Sequence, residues 1–589
     1  MRFRPPFNVF FICLLILITA VACDVGDDDG GSSADDPDDD DGQDDDAELN
    51  DDTNEDDDLF DDDDDNDDDE DHTGPWEDTV EMVSMPDGVP LRTKIFLPEP
   101  DEENGVPVVM CRTPYRNLQS EVEYEKRAQV FVDLGMAFVL QDCRGCGESE
   151  GEFAPYVHEV ADGTATSEWI TEQYWSNDDI GTFGASYDAY AAVADAVDNP
   201  RIKVVVAEEP TDGESGPGEH GGTVSKSRLD WLYTLKYDEW MPWDLIVEVT
   251  NMLDVAGADL AIVGESDPYW RRFVEKPDPS DGRWSENVLD DELEQVCAPM
   301  LILYSMEFQW SDPIDIWRSV KDNACARRGA DHRIVIGPDP HGYHAYTLPY
   351  FETTANRLML DYFQTFLKNE EVGLAQVPAA QYRSADETGY HVSDTWPPQS
   401  VDLTLHLDRN GDFGYLREAN AQNENPDILT VHPALADPCS DDYPTETYYS
   451  DFFGEQGYIA GTPSAQIYIS SSTLDADLFV DLVEISNFGE NRLIGTSAMR
   501  VRYRDGDDVW LNPDEIYHLS MKMFPVAFTI RANSRLALHV RPAHCGFFEN
   551  PHTAQPLIAQ THWESTTLTI FHDDEHPSRI TIPFLEVRR

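Results

Sequence analysis

Between Asp24 and His72 the sequence contains no lysine, no arginine and, apart from Phe60, no aromatic residue. A stretch so poor in apolar side chains cannot offset the entropy of ordering by burial. Its charge of about −30 makes it self-repelling, so a disordered tether is expected. The run also lacks the spaced glycine and closing glutamate of an EF-hand loop, which argues against a calcium-binding repeat. Basic residues are scarce everywhere: 39 Lys and Arg stand against 118 Asp and Glu, for a net charge of −79. About −51 of that falls on residues 73–589. Like charges repel, so neither nucleic acid nor an anionic membrane face is an expected partner.

Apolar runs of bilayer-spanning length are missing as well. The longest, Phe7 to Ile18, follows Arg2 and Arg4 and leads into Ala20-Val21-Ala22. That is the pattern of an export signal over residues 1–22. Cys23 then stands where a bacterial lipobox cysteine is acylated, and the favoured expectation is an exported cell-envelope lipoprotein. Cleavage by ordinary signal peptidase, giving a secreted protein, is the alternative. Beyond Cys13 and Cys23 there remain Cys111, Cys143, Cys146, Cys297, Cys325, Cys439 and Cys545, an odd and diffusely spaced set. Cys143-x-x-Cys146 has no second pair or histidine cluster with it, so no metal is expected. These cysteines read as small packing residues with one disulfide among them.

What is present points to two folded units beyond the tether of residues 23–75. Thr79–Met85 and Val89–Leu97 flank Pro86-Asp87-Gly88 and read as a hairpin. Strands then alternate with helices: Val108–Arg112, Glu121–Leu134, Met136–Gln141, Glu159–Gln173, Ile180–Ala185, Tyr187–Val197 and Lys203–Val206. That alternation predicts an α/β domain over residues 76–375, with a mostly parallel sheet covered on both faces. It stops between about 214 and 296, where Trp231, Tyr233, Tyr237, Trp240, Trp243, Tyr269, Trp270 and Trp284 gather. An inserted helical cap over the strand ends is expected there, with most of these rings in its own core. The α/β pattern resumes with Met300–Tyr304, Pro313–Asn323, Arg333–Ile336 and Thr354–Leu367. Residues 376–589 switch to short alternating runs, as expected of an all-β, jelly-roll-like domain.

A serine attacks an acyl carbon only when a base takes its proton and donors stabilise the oxyanion. Gly184-Ala185-Ser186-Tyr187 joins a predicted strand to a predicted helix, the corner that exposes a nucleophile. The literal G-x-S-x-G pattern fails, because Asp188 occupies its last position.

These residues resemble the cocaine esterase and X-Pro dipeptidyl peptidase group of α/β-hydrolases. The family elbow G-x-S-Y-x-G matches Gly184-Ala185-Ser186-Tyr187-Asp188-Ala189 except for its final alanine. Asp142-Cys143-Arg144-Gly145-Cys146-Gly147-Glu148-Ser149-Glu150-Gly151, Arg112-Thr113-Pro114-Tyr115 and Gly337-Pro338-Asp339-Pro340-His341-Gly342 are similar to family segments too. The resemblance covers nearly everything after residue 76. It implies Ser186 as nucleophile, His341 rather than His344 as base, and the Tyr115 hydroxyl with the Tyr187 backbone N–H as oxyanion hole. It places the acid after the strand Met300–Tyr304. Counting back from the next helix gives Glu307, while a local W-x-D match gives Asp312; Glu307 is preferred, because Ser311 caps that helix and Asp312 falls in its first turn.

The function so implied is a serine hydrolase that cleaves an ester or amide through an acyl-serine intermediate, without metal or organic cofactor. Its partner would be a small ester, amide or short peptide, and a membrane only through the lipid anchor. A carboxylesterase is the first expectation. An X-Pro dipeptidyl peptidase or related acylase is the second; the peptidase needs an anionic anchor for the substrate amine, for which Glu208 and Glu209 are candidates. A non-catalytic surface binding protein is the reading from another class, suggested by the altered elbow and the uncertain acid.

Overall fold

The computed structural model describes residues 77–98, 105–115, 118–211, 213, 221–237, 246, 255–275, 289, 292–306, 313–323, 325, 331–348, 353–419, 425–433, 437–440, 442–554 and 562–585. Residues 1–22, expected to be an export signal, Cys23 and the acidic run from Asp24 to His72 lie outside them.

Ten strands form the sheet of the α/β domain: β1 (Glu77–Ser84), β2 (Pro90–Leu97), β3 (Val106–Thr113), β4 (Ala137–Asp142), β5 (Ser176–Ala185), β6 (Ile202–Glu208), β7 (Met300–Ser305), β8 (His332–Gly337), β9 (Ala380–Tyr382) and β10 (His391–Ser393). They lie in the order β1-β2-β4-β3-β5-β6-β7-β8-β9-β10. From β4 to β9 neighbours run parallel, and the expected hairpin β1–β2 pairs antiparallel at one edge. Side chains alternate between two buried faces, as a pleated strand requires. Val108, Met110, Ala137 and Val139 face one apolar core. Val109, Cys111, Phe138 and Leu140 face the other, under the helices Leu118–Asp133 and Thr354–Lys368. The sheet runs past residue 375, where the sequence places the domain boundary, because β9 pairs onto β8 and β10 onto β9 before the chain leaves it.

The cap is inserted between β6 and β7. Its described helices, Ser227–Tyr237, Ala258–Ile262 and Pro268–Glu275, enclose a core of Leu229, Val255, Ile262, Trp270 and Phe273. Phe548 of the β-rich domain completes that core. The main chains are joined there as well: Lys226 N–H donates to the Gly546 carbonyl and Phe548 N–H to Val224, each at 2.9 Å. Trp240, Trp243 and Trp284 lie outside the described residues. Thirteen further strands build the β-rich domain around Leu407, Ile467, Leu478, Leu538 and Ile580. Among the described residues there are two disulfides rather than one, Cys297–Cys325 and Cys439–Cys545; Cys111, Cys143 and Cys146 are free. The sequence separation of each pair hid it, since the fold alone brings the partners together.

Candidate active site

β5 ends at Ala185 and the helix Tyr187–Ala194 begins two residues later, so Ser186 makes the corner by itself. Its backbone sits at φ 60°, ψ −124°, a region that costs a residue with a side chain about 1–3 kcal/mol. Two features hold it there. Ser186 N–H donates to the Glu208 carbonyl of β6 at 2.9 Å. At Gly184 a Cβ would overlap the backbone of Asp188, so the chain can double back only over a glycine. Ala189, in place of the family's second glycine, is fully buried and its methyl packs in the core, so the corner survives that change.

Tyr115 follows the end of β3, and its hydroxyl stands 3.5 Å from Ser186 Oγ. Burial pushes the phenol up to about 12, which keeps the hydroxyl protonated and able to donate near neutral pH. Its lone pair accepts the Trp231 indole N–H at 3.1 Å, and the Tyr187 backbone N–H also faces the oxygen. The tyrosine is held from behind as well. Its own N–H donates to Thr113 Oγ1 at 3.1 Å, and that hydroxyl shares a 2.9 Å hydrogen bond with Tyr124. Tyr124 in turn donates to the buried Asp188. The Tyr187 ring plays a scaffold part: its hydroxyl donates to Glu159 Oε1 at 2.6 Å and accepts Tyr156 N–H at 2.9 Å. Beneath β3, the fully buried Arg112 donates to Asp195 Oδ1 at 2.9 Å and to the Glu159 carbonyl at 2.8 Å.

His341 lies in the loop after β8, just ahead of Gly342 at φ 70°. The loop is fastened to β7 by Ser305, whose hydroxyl donates to the Asp339 carbonyl, and by Met306 N–H, which donates to Gly337 at 2.9 Å. It is fastened to β6 by Glu208, whose carboxylate accepts the N–H groups of His344 at 2.9 Å and Ala345 at 2.6 Å. His344 is buried and paired through Nε2 with Asp339 Oδ2 at 3.4 Å. Burial works against its charge, but this pairing with Asp339 raises its pKa. Burial lowers the pKa of His341, which favours the neutral ring that a general base requires.

The structure thus places Ser186, Tyr115, Tyr187 and the loop of His341 at the carboxyl ends of β3, β5 and β8, strands of one parallel array. Glu307 and Asp312 lie outside the described residues. Among the described residues, a carboxylate that meets His341 Nδ1 is Glu209, one residue past β6. Sequence reasoning set Glu209 beside Glu208 as an anchor for a substrate amine; the structure engages both carboxylates with the histidine loop instead. The pair stands at the carboxyl end of a buried strand beside the nucleophile strand, where α/β sheets carry their sites, and that position was the available signal. Trp231 was also missed, because nothing in an aromatic-rich insertion distinguishes the ring that reaches the sheet.

Residues 87–343 match the family model described as X-Pro dipeptidyl-peptidase (S15 family), and residues 373–581 match X-Pro dipeptidyl-peptidase C-terminal non-catalytic domain. A cocaine esterase from Rhodococcus sp. (strain MB1 Bresler) is 26% identical over 574 residues, covering 86% of this chain and 98% of the relative. Among solved structures, an aminopeptidase from a marine sediment Thaumarchaeota archaeon superposes with a TM-score of 0.75 at 20% identity, covering 87% of this chain and 97% of its own. An α-amino acid ester hydrolase gives 0.73 at 20% identity with the same coverage. A CocE/NonD family hydrolase from Staphylococcus aureus gives 0.66 at 18%, over 86% of this chain and 93% of its own. At these identities the structural matches establish the α/β-hydrolase fold followed by a β-rich domain.

Proposed function

This chain belongs to the CocE/NonD and X-Pro dipeptidyl peptidase family of serine hydrolases, and from that premise we propose that it is a carboxylesterase-type acyl hydrolase with Ser186 as nucleophile and His341 as general base. One observation carries the assignment: a serine in a strained strand-to-helix corner with the Tyr115 hydroxyl 3.5 Å from its Oγ. In acylation His341 takes the Ser186 proton as Oγ adds to the carbonyl carbon. Tyr115 O–H and Tyr187 N–H donate to the oxygen that becomes negative. His341 then gives the proton to the leaving oxygen or nitrogen, and water repeats the sequence on the acyl-serine.

An ester is favoured over an X-Pro peptide. A dipeptidyl peptidase needs a free carboxylate to bind the substrate amine, and the two considered for it, Glu208 and Glu209, face the histidine loop. The name of the Rhodococcus relative supports the same choice. We also propose export, with Cys23 as a lipid-anchored N-terminus; two disulfides suit an oxidising compartment.

The purified protein is expected to label with a fluorophosphonate at Ser186 and to turn over p-nitrophenyl esters faster than glycyl-prolyl p-nitroanilide. Preference for the anilide would transfer the assignment to the peptidase. Neither labelling nor turnover would leave the binding-protein reading.

A further inference from the structure

We propose that Arg383 is a positioning residue for the general base: through Asp339 it ties the His341 loop to residues 383–386, a strap that the β-rich domain holds in place. The inference rests on the assignment of Ser186 and His341 above and adds what fixes the base in position.

The loop between Gly337 and Tyr343 has few backbone donors with which to hold itself. Pro338 and Pro340 carry no N–H, so its fastening falls to side chains. Asp339 stands between the two prolines, two residues before His341, and reaches in several directions. Its carbonyl accepts from the Ser305 hydroxyl, one carboxylate oxygen pairs with His344 Nε2 at 3.4 Å, and the other accepts from Arg383 Nη2 at 2.5 Å. The carboxylate folds back over the end of β8, where a Cβ on Gly337 would stand 2.5 Å from Oδ2. Burial would raise the Asp339 carboxyl, but His344 and Arg383 outweigh it and hold its pKa below the usual value. Asp339 therefore stays charged toward Arg383 across the neutral range.

The register puts Arg383 where it can act. β9 pairs with β8 as far as Ile336 and Tyr382, and Arg383 N–H donates to the Ile336 carbonyl at 3.0 Å. Arg383 thus leaves the sheet beside the start of the histidine loop. Its side chain is 20% exposed and that of Asp339 14%, so solvent screens this pair less than a surface one.

Beyond Arg383 the chain is anchored on the other domain. Ser384 is fully buried, and its hydroxyl accepts the Thr529 N–H at 3.1 Å. Asp386 pairs with Arg492 at 2.7 Å and with Arg531 at 3.0 Å. The strap is closed on itself too: Ser384 N–H donates to Glu387 Oε2 at 3.0 Å, and Glu387 N–H to the Ser384 carbonyl at 3.1 Å. Four consecutive residues therefore run from the loop of the base to the β-rich domain.

The test compares Arg383→Gln, Arg383→Lys, Asp339→Asn, the double variant Asp339→Asn/Arg383→Gln, Asp386→Asn and Arg417→Gln in the full chain. It follows kcat and KM for a p-nitrophenyl ester together with the thermal midpoint. Arg383→Gln and Asp339→Asn are each expected to lower kcat by about tenfold to 10²-fold with KM within about threefold, because a displacement of about 1 Å can cost about 10²-fold. The double variant should lie within about threefold of the worse single one, since residues that act through one contact are not additive. Arg383→Lys, which restores the charge, should recover at least about threefold of the loss. Asp386→Asn should lower kcat by about threefold or more. Arg417→Gln, which removes a cation paired with Asp408 elsewhere in the β-rich domain, should leave kcat unchanged. Wild-type kcat in Arg383→Gln overturns the proposal whatever the midpoint does, because a merely structural pair would move stability alone. Losses that multiply in the double variant overturn it as well, and wild-type kcat in Asp386→Asn overturns the part given to the β-rich domain. Fluorophosphonate labelling of the wild type at Ser186 is read separately: its absence would refute the nucleophile itself.

Discussion

The indole N–H of Trp231 donates to the hydroxyl of Tyr115 at 3.1 Å across 116 positions of sequence. One residue belongs to the cap and the other to the end of β3, so the cap fixes the direction in which the phenol presents its proton. Because the indole occupies a lone pair of the oxygen, the hydroxyl hydrogen is left to point elsewhere, and Ser186 is its neighbour. Tyr115→Phe should therefore lower kcat by about 10²-fold with little loss of stability, since one oxyanion donor is worth about 2.7–4 kcal/mol. Trp231→Phe keeps the ring and removes only the indole donor. It should give a smaller fall, about tenfold or less, in the same parameter. Steady-state kinetics with a p-nitrophenyl ester check both, and equal kcat in all three proteins would return Tyr115 to a packing role.

Ser186→Ala should remove acyl transfer, by about 10⁴-fold or more, and leave the thermal midpoint at or above that of wild type. The corner loses its hydroxyl but keeps its backbone bond to Glu208. Fluorophosphonate labelling of the variant at full stoichiometry would show that the reactive serine lies elsewhere.

The acid limb of the pH profile should fall below 6.5, the ordinary value for histidine. Burial favours the neutral imidazole of His341, and the base must be neutral to act, so activity persists to lower pH. The Glu209 carboxylate acts in the opposite direction, and Glu209→Gln should move the limb lower still. Profiles of kcat/KM for the two proteins measure both effects. A limb above 6.5 in the wild type would mean that the carboxylate outweighs burial.

Asp188 carries a different pH signature. Burial raises its pKa from 3.8 to about 7 in the folded protein, against the hydrogen bonds from Tyr124 and Thr113 that lower it. The folded state then holds a proton that the unfolded chain releases between those values. Stability from this group is complete below about 4 and is lost as pH rises through about 7. Asp188→Asn keeps an acceptor for Tyr124 and removes the ionisation. Its thermal midpoint should match wild type near pH 4 and exceed it by several degrees at pH 8. The same midpoint difference at both pH values would contradict this account.

Removing the Cys439–Cys545 link by a double serine substitution should cost about 2–5 kcal/mol. It closes 106 residues, against 28 for Cys297–Cys325, so chain entropy predicts the larger loss for the longer loop. Denaturant unfolding of the two double variants gives the comparison, and the reverse order would point to local packing instead.

Most of the α/β domain was legible because its strands are short, apolar and separated by helical periods. Ile180–Ala185, Lys203–Val206 and Met300–Tyr304 fall inside β5, β6 and β7. The elbow was legible for a local reason, since a glycine two residues before a serine at a strand-to-helix switch is a short-range pattern. Tyr115 and His341 came only with the family resemblance; periodicity alone does not single them out. Glu209 was not legible as a partner of His341, because that contact depends on a left-handed turn at a non-glycine residue and on the path of a loop 132 positions later. The two disulfides and the pairing of β9 onto β8 escaped for the same reason: each joins residues far apart in sequence with no local signature.

The core of the cap closes on Phe548, a residue that follows the whole α/β domain and most of the β-rich one. Val224 and Lys226 are joined to the same segment by main-chain hydrogen bonds. The roof that aims Tyr115 is thus assembled from a segment in the middle of the folded chain and one near its end, and during synthesis it stays incomplete until residue 548 has left the ribosome. A nascent or C-terminally truncated chain would have its nucleophile corner built and its roof still open. The β-rich domain is in this sense the final clasp of the enzyme, and a shortened gene product carrying every residue assigned to the chemistry would still lack the part that holds them in aim.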